Sequence, residues 1–90
     1  MNEKNQATDD GLLGQVLAVV AEELALDPRT LGPQDAPGVT PGWDSQQHMR
    51  IVLALEDRFD VRFSNDMIVQ LLSARQLADH VRELRDGANA

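Results

Sequence analysis

All four prolines of this 90-residue chain, Pro28, Pro33, Pro37 and Pro41, fall in one stretch that also holds Gly32, Gly38 and Gly42. Proline fixes φ and lacks a backbone N–H, so neither a helix interior nor a central strand can run through such a segment. Residues 27–42 therefore read as a long loop, and the proline-free sequence on either side is left to form the regular structure. Loops of this length in a small domain are commonly functional or pinned by their own side chains. Leu26, Leu31 and Val39 are the expected pins.

Before the loop, Leu12, Leu13, Val16, Leu17, Val20 and Leu24 recur at three- and four-residue intervals, predicting one amphipathic helix that ends near Ala25. Asp9 or Asp10 is the expected N-cap, and the polar, aperiodic residues 1–9 read as a disordered leader outside the domain. After the loop, Asp44 precedes a helical run to Phe59, with Gln47 placed to complete a capping box and Trp43 at a hydrophobic-staple position. Ile51, Val52, Leu55 and Phe59 form its inward face, and Met49 with Leu53 forms a second apolar stripe expected at the surface. Residues 60–63 alternate but find no strand partner, so Val61 and Phe63 are expected to point inward from an extended connector. Ser64 caps a short third helix predicted from Asn65 to Leu72. Ser73 and Gln76 open a fourth, with Leu77, Val81 and Leu84 as its buried stripe. Gly87 is expected to close it, giving a domain over residues 10–86 and a tail over 87–90.

Ninety residues make one small bundle with no separate catalytic lobe. Aromatic content is 3%, so aliphatic side chains must fill the interior around Trp43, Phe59 and Phe63. A formal net charge of -7 argues against nucleic acid and anionic membranes, which are bound through Lys and Arg. Glu22, Glu23, Asp27 and Asp35 are expected on a solvated surface. With no cysteine there is no disulfide, no thiolate metal site and no intrinsic thiol nucleophile, so thioester chemistry would need an external sulfur. No apolar run reaches the roughly 18 residues of a membrane span, and the polar start is no signal peptide; the expectation is a cytoplasmic protein.

Ser45 stands at the start of the second helix, where free backbone N–H groups and the positive dipole end favour a phosphate or phosphodiester. A serine at such a position more often simply serves the first helical turn. His48, three residues on, lacks an orienting acid or oxyanion donor for a nucleophilic pair, and His48 and His80 have no metal-ligand spacing. Neither a catalytic residue nor a metal is expected.

The helix, long loop, Asp44-Ser45 at the next helix start and two shorter helices resemble the acyl carrier protein family over roughly residues 10 to 84. Pro41 to Ser45 and the run Leu53-Ala54-Leu55-Glu56-Asp57-Arg58-Phe59 look most like stand-alone carriers of specialised-metabolite pathways, polyketide or related. The resemblance implies an all-α, four-helix bundle with a long loop between helices 1 and 2 and a short third helix. It implies that Ser45, with Asp44 beside it, carries 4′-phosphopantetheine added by a phosphopantetheinyl transferase. The arm's thiol would hold an acyl or aminoacyl group as a thioester. Family knowledge places partner recognition on the second helix, here Gln46, Met49, Arg50, Leu53 and Asp57, with Met67 and Ile68 of the third helix flanking the arm. The implied partners are acyl-loading and acyl-transfer or condensing enzymes, met by a monomer that is itself no enzyme. Gln46 replaces the leucine usual after the serine, and Arg50 stands where many fatty-acid carriers have an acid. Partners different from those of a fatty-acid carrier are expected. The alternative is an unmodified helical adaptor that binds another protein through the Met49 and Leu53 face.

Overall fold

Each apolar stripe must be covered, and four helices achieve this by packing around one aliphatic core. A computed structural model describes residues 2–70 and 73–89, with side chains for 11–70 and 73–86. The helices are α1 (Asn2–Leu24), α2 (Ser45–Phe59), α3 (Asn65–Gln70) and α4 (Ala74–Asn89), with one 3-10 turn at Pro28–Thr30 in the long loop. The fold is the all-α bundle expected, and no strand occurs among the described residues. Leu71 and Leu72, the predicted end of the third helix, lie outside the described residues.

The long α1 packs against both α2 and α4, and α2 also meets α4. Their shared interior holds Val16 and Val20 of α1, Ile51, Val52 and Leu55 of α2, and Leu77 and Val81 of α4, all fully buried. Burying a side chain of this size stabilises a fold by about 1.5–3 kcal/mol. Val19 and Ala21 broaden the buried face of α1 beyond the predicted stripe.

Two helix boundaries differ from expectation. α1 runs through Asp9 and Asp10 to Asn2, because no proline interrupts residues 2–10 and helical hydrogen bonding can continue. α4 likewise passes through Gly87 to Asn89, since an isolated glycine costs a helix only about 1 kcal/mol and no proline follows it. At the other end of α1, Ala25 adopts φ 57, and the chain leaves the helix through a bond from the Leu26 N–H to the Ala21 carbonyl, 2.9 Å. α2 ends similarly at left-handed Asp60, after which the Glu56 carboxylate accepts the Phe63 N–H at 2.8 Å. That contact turns Val61 and Phe63 inward, and both are buried.

The loop is held mainly by polar bonds. Val39 is 73% exposed and pins nothing, while Leu31 packs partly on the core as expected. The work expected of Val39 falls to Thr40, Ala36 and Trp43, all buried. The Thr40 hydroxyl accepts the Ala36 N–H at 3.0 Å and donates to Asp35 Oδ1 at 2.6 Å. Asp35 Oδ2 accepts the Gly32 N–H at 2.6 Å. Asp35 is therefore a half-buried structural residue and no part of the solvated acidic surface. The carbonyls of Pro33 and Asp35 accept the Arg75 and Ala74 N–H groups at 2.9 and 2.8 Å, fastening the loop to the start of α4.

Candidate functional site

The loop delivers the chain to α2 through Gly42, at φ 84, a left-handed conformation that glycine adopts without a Cβ penalty. Trp43 follows at 2% exposure and anchors the junction in the core. Asp44 is then extended, and its Oδ1 accepts the Gln47 N–H at 2.9 Å, the N-cap expected from sequence. The reciprocal half of the capping box is not made: Gln47 Oε1 is buried without a partner among the described residues.

Ser45 is the first helical residue and is exposed. Asp44 satisfies the Gln47 N–H with its side chain and the His48 N–H with its carbonyl at 2.8 Å. The Ser45 and Gln46 N–H groups thus remain without intrahelical carbonyls at the positive end of a 15-residue helix. Ser45 sits in a cleft of about 530 Å³ lined by Pro37, Gly38, Asp44, His48, Met49, Ile68 and Val69. Its hydroxyl is an accessible acceptor for a phosphoryl group, and its surroundings suit the attached phosphodiester of a phosphopantetheine arm.

His48 does not serve that hydroxyl. Its Nδ1 accepts the Trp43 indole N–H at 3.2 Å, and its Nε2 meets the Ile68 carbonyl at 3.0 Å. Both ring nitrogens are engaged in a buried bridge from the loop to α3, which leaves no nitrogen to activate the serine. Trp43 and His48 occupy the N′ and N4 positions of α2, the pair that a hydrophobic staple brings together. That spacing was the sequence signal for this contact; the third partner, 20 residues downstream, left none.

Gln46, Met49, Arg50, Leu53 and Asp57 are all exposed on α2, with Met49 at 43% and Leu53 at 57%. They share one side of the helix at three- and four-residue spacing. Met49 belongs to the Ser45 cleft, whereas Leu53 and Asp57 border a second cleft of about 490 Å³ with Glu56, Asp60, Val61 and Arg62. On α3, Met67 and Ile68 both pack partly against the core, and Ile68 also lines the Ser45 cleft, which Met67 does not. Val69, 69% exposed, lines the cleft as well, together with Pro37 and Gly38 of the loop. Among the described residues no group of three or more His, Cys, Asp or Glu could hold a metal ion, and no helix is long and apolar enough to cross a membrane.

Comparison with known proteins matches residues 14–81 to the family described as "Phosphopantetheine attachment site". A curated acyl carrier protein from Cyanidioschyzon merolae (strain NIES-3377 / 10D) is 24% identical over 74 residues, covering 82% of this chain and 81% of that protein.

Proposed function

The chain belongs to the acyl carrier protein family, and on that premise we propose that Ser45 carries its 4′-phosphopantetheine arm. Proteins of this family are carriers and not catalysts. The arm supplies the thiol on which an acyl group is held as a thioester. The chain's own residues supply presentation: Asp44 fixes the start of α2, Ser45 offers an exposed oxygen, and the first-turn N–H groups stabilise the negative charge of the phosphodiester. The observation that carries this reading is the accessible serine at a capped helix start, inside the matched family region.

The partners of the family are phosphopantetheinyl transferases and acyl-handling enzymes. For this chain we assign docking to the exposed α2 residues Gln46, Met49, Arg50, Leu53 and Asp57, with Ile68 and Val69 contributing beside the arm. Met67 has the weaker case, since it does not line the Ser45 cleft as Ile68 does. Gln46 and Arg50 support service in a specialised-metabolite pathway, such as polyketide assembly, with loading and condensing enzymes that accept a less acidic docking helix.

Incubation with coenzyme A and a promiscuous transferase should add one phosphopantetheine mass to the wild type and none to Ser45→Ala. A wild-type mass that stays unchanged would defeat the proposal. It would favour an unmodified adaptor that uses the exposed Met49 and Leu53 and tolerates Ser45→Ala.

A further inference from the structure

α3 is a six-residue helix with no buried residue, and only Met67 and Ile68 rest partly on the core. Among the described residues little apolar burial holds it, yet Ile68 and Val69 form one wall of the Ser45 cleft. The Ile68 carbonyl belongs to the last described turn of α3. His48 Nε2 reaches it from α2 at 3.0 Å. The Trp43 indole can only donate, so Nδ1 must accept; the carbonyl can only accept, so Nε2 must carry the proton. One tautomer alone meets both demands.

We infer that His48 is a positioning residue: held by Trp43 in the Nε2–H tautomer, it donates to the Ile68 carbonyl and keeps α3 in place as a wall of the Ser45 cleft. Its functional meaning rests on attachment at Ser45, whereas the geometry stands independently of it.

NMR of the full, unmodified chain tests this. In the wild type, ring 15N signals should show a bare Nδ1 and a protonated Nε2, and the Trp43 indole proton should exchange slowly. His48→Leu should speed amide exchange across Asn65–Gln70 about tenfold, equivalent to about 1.4 kcal/mol. His48→Gln keeps one acceptor and one donor on its amide and should restore most of that protection. Trp43→Phe should release Nδ1 and give mixed tautomers, a readout that holds even if His48→Leu fails to fold. An Nδ1-protonated wild type, unchanged α3 exchange in His48→Leu, or a Gln variant no better than Leu would overturn the inference. Ser45→Ala should abolish arm attachment and leave every one of these signals intact, so the two readings fail separately.

Discussion

Asp44 and Ser45 do different jobs at adjacent positions, and the geometry of the second depends on the first. By accepting the Gln47 N–H, Asp44 decides where α2 begins, so Ser45 becomes the first helical residue and not a loop residue. Asp44→Ala should lower stability by about 1 kcal/mol, read as an earlier urea midpoint at unchanged slope; an unmoved midpoint would remove Asp44 from this role. A remote residue gives a pH signature. Hydrogen bonds from the Arg29 side chain and then the Arg29 backbone N–H hold the Asp27 carboxyl below the usual carboxylate range. A group whose pKa is lower folded than unfolded stabilises the fold above its unfolded value and loses that contribution as pH falls through the folded one. The stability gap between wild type and Asp27→Asn should therefore be small at neutral pH, where the exposed pair is screened, and vanish on acidification. A gap that widens with acid would contradict the assignment. At this scale the cap was legible, because Asp44 and Gln47 act across three residues. The His48 bridge was not, because its Ile68 end is set by how α3 folds back.

At the scale of elements, the loop between α1 and α2 explains why a proline-rich segment can still position a site. Thr40 and Asp35 knit it internally, and the Pro33 and Asp35 carbonyls tie it to α4. Thr40→Val keeps the volume but orphans the buried Ala36 N–H and an Asp35 oxygen, and should cost about 2 kcal/mol in chemical denaturation. A loss below a few tenths would show that water replaces the hydroxyl. The prolines and glycines announced the loop, but apolarity could not show that Val39 would be exposed while Thr40 is buried: which side chain turns inward follows from the Asp35 turn. On α2, Met49→Asp should weaken transferase or acyl-enzyme docking with a stability change within about 0.5 kcal/mol, because Met49 is 43% exposed. Unimpaired modification and transfer by that variant would move the docking face elsewhere. The periodicity placed Met49 and Leu53 on the outside correctly; it could not divide them between two clefts, since that depends on α3 and the Asp60 turn.

For the whole molecule, the stripes of α1, α2 and α4 were readable because three long segments each bury one face at helical spacing. The ends of α1 and α4 were less so, since polar residues without proline permit helix as readily as coil. The same three helices fill their shared interior with aliphatic side chains, and we assign the chemistry to an arm attached at the exposed Ser45. Site-localised mass spectrometry of the protein purified from its native host tests that claim most directly. The account predicts phosphopantetheine on the peptide containing Ser45 and on no other. Its presence on another serine, or a fully unmodified Ser45 peptide alongside functional protein, would contradict it.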